Sequence, residues 1–376
     1  MIYLDSAATS VHKPDGVVYA MLGAMNTMAS PGRGAYPAAM RAAGMCLTCR
    51  ENLARLFNVP SPENVVFTFN ATHALNIAIR SLVKPGARVL ISGYEHNSVT
   101  RPLAALGAET IVIDTPLFDA ESFLNAFARR LPEADAVVCT HVSNVFGYVL
   151  PIEDAARLCR ERGKPLIIDA SQSAGALDLD FEALGARFIA MPGHKGLFGP
   201  QGTGVLLCRD GGEPLLYGGS GSDSRAQEMP DFLPDRLEAG THNVAGIAGL
   251  NAGVEYILRT GTAKIRRRER ELLDTFAGEL SDAAGLRLFF SEDPARQSAV
   301  LSVQPRDMGC EALGEGLYAR DIAVRTGLHC APRAHETAGT LQTGTVRFSF
   351  SPFNGEEEVR AAARSVREVL RKQQHI

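Results

Sequence analysis

The sequence lacks the features that mark several classes of protein. Its 376 residues contain no run of the roughly 18 uncharged apolar residues that a membrane span requires. Its first residues show no basic region followed by an apolar run, so we expect no secretory signal. The formal net charge is only −4, which gives no indication of binding to nucleic acid or to an anionic membrane surface. We therefore expect a soluble, cytoplasmic protein without nucleic-acid or membrane partners.

The sequence also lacks the cysteine patterns that mark disulfide-stabilised proteins and metal sites. The seven cysteines are scattered, and an odd number in a long chain argues against a disulfide framework. Only Cys46 and Cys49 form a CxxC pair, and neither a second pair nor nearby histidines complete a metal site. We predict no metal, and we expect these two cysteines to be ordinary residues of an Ala-rich helix.

The chain does contain enough apolar sequence, 45% of its residues, for a large core and more than one domain. Short β-rich runs alternate with helical patterns at 65–69, 88–92, 110–114, 136–140, 165–169, 188–191 and 204–208. Buried runs without alternation, separated by helices, predict an α/β fold with a mainly parallel seven-stranded sheet covered on both faces. Such sheets bind ligands at the carboxyl ends of their strands.

The C-terminal third has a different pattern. A charged helix is predicted at 264–280, and we interpret its charges as a solvated face. Strand-like runs at 299–303, 322–324 and 345–349 follow, and then a terminal helix from 356 to about 372. We predict a smaller α+β domain made of 1–12 and 256–376, beside a large domain of 13–255. The segment 326–343 is rich in Gly, Pro, His and Thr, and we predict a long functional or mobile loop there.

Lys195 follows one of the apolar runs and leads into a glycine-rich stretch. A desolvated lysine with a lowered pKa at the end of a buried strand is what a pyridoxal-phosphate (PLP) enzyme needs to bind its aldehyde cofactor. A surface turn is the alternative interpretation of this segment.

Three other strand ends carry side chains that suit the same cofactor. Asp169 could pair with the pyridine nitrogen, and Gln172 could reach the phenolic oxygen, although a helix-capping Asp is the alternative. Thr72 lies at the start of a helix, where free N–H groups bind phosphate. His96 could stack on the ring and move protons, or be an ordinary buried histidine. Their order along the chain favours a PLP enzyme.

The chain resembles the class V, fold-type I PLP enzymes, and within them the cysteine desulfurases and selenocysteine lyases. The resemblance covers essentially the whole chain, and its segments keep the family's order: 3–9, 141–147, Asp169 with Gln172, His194 with Lys195, 238–241, 325–331 and 344–349. It implies a homodimer that converts L-cysteine to L-alanine and leaves a persulfide for transfer to an acceptor, with a carrier protein and a small thiol as the two candidates. A selenocysteine lyase, a class V aminotransferase and a non-catalytic sulfur-carrier or regulatory protein are the alternatives.

The resemblance also implies a role for individual residues. Cofactor contacts are implied for Ala71, Thr72, His96, Asp169, Gln172, His194 and Lys195, and for Thr241 from the neighbouring chain. Substrate contacts are implied for Asn144, Arg347, Arg325 and, from the neighbouring chain, Arg33. The implied catalytic residues are Lys195, His96 and the sulfur-accepting Cys330.

Three positions depart from the family's pattern. Pro192 stands where a serine usually precedes Gly-His-Lys, so one phosphate contact is missing or replaced. Tyr36 takes the place of a histidine. His335 adds an imidazole after Cys330; a ligand or a proton donor are possible roles, and we expect a solvated side chain.

Overall fold

The computed structural model describes residues 1–32 and 34–373. In chain order, the strands are β1 (Ile2–Tyr3), β2 (Val65–Thr68), β3 (Arg88–Ser92), β4 (Glu109–Ile113), β5 (Ala136–Thr140), β6 (Leu166–Asp169), β7 (Phe188–Pro192), β8 (Gly204–Cys208), β9 (Leu286–Phe289), β10 (Val300–Pro305), β11 (Ile322–Ala323), β12 (Arg325–Gly327) and β13 (Thr345–Ser349). The helices are α1 (Asp15–Thr27), α2 (Pro37–Phe57), α3 (Ala71–Leu82), α4 (Asn97–Ala105), α5 (Ala120–Arg130), α6 (Ile152–Glu161), α7 (Phe181–Leu184), α8 (Val244–Thr260), α9 (Thr262–Leu280), α10 (Cys310–Tyr318), α11 (Pro332–Ala338) and α12 (Glu356–Gln373).

A seven-stranded sheet forms the centre of the larger lobe. Its strand order is β2-β8-β7-β6-β5-β3-β4, and β8 runs antiparallel to both of its neighbours while the other adjacent pairs are parallel. The predicted α/β fold class and the mainly parallel sheet of seven strands are therefore confirmed. The register places Asp169 between Thr140 and Ala190, so polar residues from neighbouring strands meet at the carboxyl edge.

The central strands are mostly apolar because helices cover both faces of this sheet. Val137 and Cys139 pack with α2, α5 and α6 on one face, whereas Val138 packs with α3 and α4 on the other. Cys46 and Cys49 lie in α2 and are buried, as expected of helix residues. Two-sided burial is the physical reason that the sequence shows continuous apolar runs here.

The smaller lobe contains an antiparallel sheet of order β12-β13-β10-β9, packed against α9, α10 and α12. β1 pairs in parallel with β11, so the N-terminus joins this lobe. The predicted strands at 299–303, 322–324 and 345–349 correspond to β10, β11 and β13, and the predicted terminal helix corresponds to α12. The domain boundaries at 12/13 and 255/256 stay a prediction.

The segment 326–343 is not the long loop that its composition suggests. It begins inside β12, continues as a link at 328–331 and then forms α11, which ends at a left-handed Gly339. Pro332 occupies the first turn of α11, where its missing N–H costs nothing. The prediction of a loop was wrong because a seven-residue helix gives no clear periodicity.

Within residues 1–32 and 34–373, no helix is both long enough and apolar enough to cross a membrane.

Candidate active site

A cavity of about 220 Å³ opens at the carboxyl edge of the large sheet. It is formed where β3, β5, β6 and β7 end and where α3 and α4 begin. The predicted site residues that line it are Ala71, Thr72, His96, Asn144, Asp169, Gln172, His194 and Lys195. Residues that are far apart in sequence therefore share one cavity, as expected of side chains that follow parallel strands.

Lys195 lies in the turn that follows β7. Burial lowers the pKa of its amine to about 8, and the nearby carboxylate of Asp169 partly opposes this change. The turn fits tightly against the rest of the lobe, since a Cβ added at Gly196 would lie 2.4 Å from the backbone oxygen of Ala174. A reactive amine and a tightly packed glycine turn are thus combined at this strand end.

The first turn of α3 lies at one end of the cavity. Asn70 caps the helix by accepting a hydrogen bond from the His73 amide at 2.9 Å. The first amides, those of Ala71 and Thr72, have no hydrogen-bond partner within the helix and lie at the positive end of its dipole. The Thr72 hydroxyl lies 2.8 Å from that of Ser98.

His194 and Pro192 line the same cavity at the end of β7. The Nδ1 atom of His194 lies 3.1 Å from the Thr9 hydroxyl, and burial lowers the pKa of this imidazole to about 4. His194 is therefore neutral near pH 7, so it can contact an anion as a hydrogen-bond donor but without a positive charge.

His96 caps α4, where its Nδ1 accepts a hydrogen bond from the Ser98 amide at 3.0 Å. This contact requires a lone pair on Nδ1, so the neutral ring carries its proton on Nε2. Burial lowers the pKa of His96, which favours the neutral form.

Glu95 lies beneath His96 and was not predicted as a site residue. It is completely buried, and its Oε1 accepts hydrogen bonds from the Ser92 hydroxyl (2.5 Å) and the Thr140 amide (2.8 Å). Burial raises its pKa to about 8. It ties the ends of two strands together below the cavity. A carboxylate directly after a buried strand was the signal in the sequence that could have identified it.

Asp169 and Gln172 occupy the end of β6 and the following turn. Asp169 is buried, and its Oδ1 accepts a hydrogen bond from the Ser171 amide at 2.9 Å. Gln172 donates from Nε2 to the backbone oxygen of Ala7 at 3.0 Å. The N-terminal segment therefore packs directly against the turn that holds both side chains.

Arg347 is buried on β13 and is held by two oxygen atoms. Its Nη1 donates to the Asn144 backbone oxygen at 3.0 Å, and its Nη2 contacts Asp5 Oδ1 at 2.8 Å. Asp5 also accepts from Arg325 Nε, at 3.0 Å, through its other oxygen. Asp5 thus joins both predicted substrate arginines, a role that its place in the opening motif did not suggest.

Cys330 lies in the short link between β12 and α11. It is exposed, whereas the other six cysteines are buried. The Asn144 side chain donates to the His329 backbone oxygen, and the Asn97 amide donates to that of Cys330, both at 2.8 Å. Cys330 does not line the cavity itself. Its link is hydrogen-bonded to Asn144, which lines the cavity, and to Asn97, which follows His96.

His335 is not solvated, so that expectation was wrong. Its side chain is fully buried, its Nδ1 lies 2.7 Å from the Thr340 hydroxyl, and its ring packs on His329 and Phe146. The Thr340 hydroxyl satisfies Nδ1 and aromatic rings surround the imidazole, whereas Nε2 has no hydrogen-bond partner among the described residues. Burial lowers its pKa to about 4.

Thr241 and Tyr36 do not line this cavity. Thr241 is exposed and lines a separate pocket, beside Glu238 and His242, on the same chain. Tyr36 is exposed at the start of α2. Arg33 lies outside the described residues. The proposed contacts of Thr241 and Arg33 with a neighbouring chain stay predictions.

Comparisons with known proteins agree on one family. The chain is 32% identical to a probable cysteine desulfurase from Methanothermobacter thermautotrophicus, over 98% of this chain and 94% of that protein. A cysteine desulfurase from Thermococcus onnurineus has a TM-score of 0.90 and 30% identity, covering 99% of this chain and 95% of that one. An Escherichia coli cysteine desulfurase has a TM-score of 0.84 and 27% identity, covering 98% and 94%. The model of the class-V aminotransferases matches residues 2–361, so the chain belongs to the class-V aminotransferase family.

Proposed function

We propose that this protein is a PLP-dependent cysteine desulfurase, which converts L-cysteine to L-alanine and places the sulfur on Cys330. One observation carries the proposal: Asn144, which lines the Lys195 cavity, contacts both the substrate arginine and the cysteine link. Its backbone oxygen accepts from Arg347 at 3.0 Å, and its side chain donates to the His329 oxygen at 2.8 Å. Asn144 thus connects the cavity of Lys195 to Arg347 and to the link that carries Cys330.

The side chains around the cavity fit PLP. Lys195 offers an amine with a pKa of about 8, and buried Asp169 offers a carboxylate for a ring nitrogen. The first turn of α3, with Thr72, offers donors for a phosphate. His96, whose pKa is lowered, offers a neutral ring that can lie against the pyridine. Bound there, PLP supplies the electron sink that makes the carbon–sulfur bond of cysteine breakable.

The residues of the chain then have distinct tasks. Arg347 binds and orients the substrate carboxylate, and Lys195 Nζ is the base for the proton on the α-carbon. The Cys330 thiolate attacks the substrate sulfur: an S–S bond forms, the C–S bond breaks, and its electron pair stays with the β-carbon. The substrate's thiol proton balances the protonation of that carbon, and Lys195 returns its proton to the α-carbon. The products are alanine and a persulfide on Cys330.

A Cys330→Ala variant tests this assignment. We expect it to bind the cofactor and cysteine normally but to lose formation of alanine and release of sulfide, because the acceptor thiol is gone. Cys310→Ala, which removes a buried thiol from α10, is the matched control and should keep activity. If Cys330→Ala kept its rate with an amino-acid and keto-acid pair, the protein would be an aminotransferase.

The names of the relatives support sulfur rather than selenium as the transferred element. They are called cysteine desulfurases, or probable ones, in both the sequence and the structure comparisons. A substrate panel of cysteine, selenocysteine, cystine and cysteine sulfinate, with alanine and the chalcogenide measured together, tests this preference. A much larger kcat/KM for selenocysteine, with little turnover of cysteine, would favour the lyase.

The proposed active form is a homodimer. α1 exposes Val18, Leu22 and Met25 at the spacing of one helix face, and their side chains are 51–70% exposed. Such a face fits a second copy, which would also bring Thr241 towards the neighbouring phosphate. A Leu22→Glu/Met25→Glu double variant should sediment as a monomer. Tyr318→Glu, at an exposed apolar residue of α10, should not change the sedimentation.

The persulfide would pass from Cys330 to an acceptor that reaches the surface. Cys330 is exposed, and its link is short and attached on both sides, which does not favour a long flap that would protect the persulfide. A carrier protein and a small thiol are both compatible with this arrangement. If small thiols gave full turnover and no carrier protein raised the rate, the dedicated acceptor would be ruled out.

A further inference from the structure

The link that carries Cys330 has an unfavourable backbone conformation. His329 and Cys330 have φ values of +50° and +57°, so two consecutive residues with side chains lie in the left-handed region. Each such residue costs on the order of 1 kcal/mol. The surrounding contacts must therefore hold this pair in place, and the direction of the thiol depends on them.

The backbone of the pair is held by the large lobe. The His329 oxygen accepts from the Asn144 side chain and the Cys330 oxygen accepts from the Asn97 amide, both at 2.8 Å. These bonds fix the two carbonyl groups. They leave the His329 side chain, which is attached to the first strained residue, to be fixed by other contacts.

One edge of the His329 ring is fixed by a chain of hydroxyl groups. Ser302 donates its only proton to the Val145 oxygen at 2.7 Å, so the Thr345 hydroxyl, 3.0 Å away, must donate to Ser302. Thr345 then accepts from His329 Nε2, at 3.1 Å. Nε2 of His329 therefore carries a proton, and burial, which lowers the pKa of the imidazole to about 2, keeps the ring neutral.

The His335 ring lies beside the His329 ring, in a roughly parallel orientation. The two ring centres are 5.7 Å apart, with an angle of 30° between the planes. His335 is fully buried, is tied to the Thr340 hydroxyl at 2.7 Å, and lies 5.7 Å from the ring of Phe146. Phe146 packs in turn on Phe289, with 4.9 Å between the two ring centres. The His335 ring is thus packed between Phe146 of the core and the ring of His329.

We propose that His335 is a positioning residue for Cys330: its ring fixes the ring of His329, and thereby the left-handed pair that presents the thiol. The proposal rests on the function proposed above, since it concerns the residue that accepts sulfur. His335 does not touch the reacting atoms. It acts through the packing of two neutral imidazole rings. Loss of the His335 ring should therefore lower kcat more than loss of its hydrogen bond to Thr340.

Three variants separate the ring from the hydrogen bond. His335→Phe keeps a flat ring but loses the bond to Thr340, His335→Asn keeps a polar atom near Nδ1 but loses the ring, and His335→Leu loses both. His12→Leu, at an exposed histidine, is the control. For each variant we would measure kcat and KM for cysteine, the visible absorbance of the bound cofactor, and the rate at which iodoacetamide alkylates Cys330.

We expect the Leu and Asn variants to lose about tenfold to a hundredfold in kcat, since small misplacements of a reacting group have effects of that size. Their KM and cofactor absorbance should change little, whereas the alkylation rate of Cys330 should change. The Phe variant should recover most of the kcat. Alkylation is specific because the other six cysteines are buried, and it does not require desulfurase activity.

The order of the variants decides the matter even if the Leu variant fails to fold. Activity in the Asn variant equal to or above that in the Phe variant would overturn the proposal, because the hydrogen bond and not the ring would then be what counts. Unchanged kcat and alkylation in the Asn variant would also overturn it. A loss of cofactor binding in parallel with kcat would mean that His335 is merely structural. Failure of Cys330→Ala to lose activity would instead reject the proposed function.

Discussion

The lowered pKa of Lys195 predicts how cofactor uptake depends on pH. Only the neutral amine can react with the aldehyde of PLP, and burial lowers the pKa from 10.5 to about 8. At pH 7 the neutral fraction is then about one in ten, compared with about one in three thousand for an ordinary lysine. The buried site therefore raises the concentration of reactive amine about 300-fold at pH 7.

The assay is the rate of PLP uptake by the apoprotein, followed by the visible absorbance of the bound cofactor from pH 6 to pH 10. We expect the rate to rise about tenfold per pH unit below pH 8 and to become level above it. The same titration with Nα-acetyl-lysine, with each rate divided by the neutral fraction of that amine, corrects for the ionisation of PLP itself. A corrected rate that continues to rise steeply to pH 10 would refute the reasoning, since Lys195 would then have an ordinary pKa.

Asp169 supplies an internal check on the same titration. Its carboxylate raises the pKa of Lys195 and so opposes the effect of burial. In Asp169→Asn the level region should therefore begin at a lower pH, even though the variant binds the cofactor less tightly. A shift to higher pH would contradict the assigned charges.

Other predictions concern buried charges. Asp5→Asn should destabilise the fold by about 3 kcal/mol and raise the KM for cysteine, because Arg347 loses its buried counter-charge; unchanged thermal unfolding would refute this. Glu238→Gln breaks its 2.6 Å pair with Arg50 and should cost about as much in urea unfolding, with part regained when Arg50→Met is added. Glu95 has a pKa of about 8 when folded, so the folded state binds more protons than the unfolded chain between about pH 4.5 and 8. Wild-type stability should fall as pH rises through that range, relative to Glu95→Gln; parallel pH profiles would contradict this.

The large sheet could be predicted from the sequence because both of its faces are buried. β3, β5 and β8 have the predicted bounds, and the other four strands differ from them by about one residue at either end. The cavity followed from the same reasoning, since Asp169 ends β6, and His96 and Lys195 lie in the turns that follow β3 and β7. Local sequence was sufficient for these residues because parallel strands bring their carboxyl ends together.

The interactions that attach the cysteine link could not be predicted in this way. Asp5 meets Arg347, which is 342 positions away, and no local pattern encodes such a contact. His335 looks like a surface residue in sequence because histidine is polar, and only the Thr340 hydroxyl and two aromatic neighbours explain its burial. Composition alone therefore gave a mobile loop where the chain forms a short, fixed link.

The N-terminal segment connects the turn that holds Lys195 to Arg347 on β13. Asp5 holds the arginine of β13, and the Ala7 amide donates to the Ser349 hydroxyl at 2.8 Å, so the segment is attached to the smaller lobe. The Ala7 oxygen accepts from Gln172, and the Ser10 amide donates to the His194 oxygen at 2.9 Å, so it is equally attached to the larger lobe. A movement of one lobe would therefore displace Arg347 and the turn before Lys195 together. The first ten residues, which supply none of the predicted catalytic side chains, set the relative position of those that do.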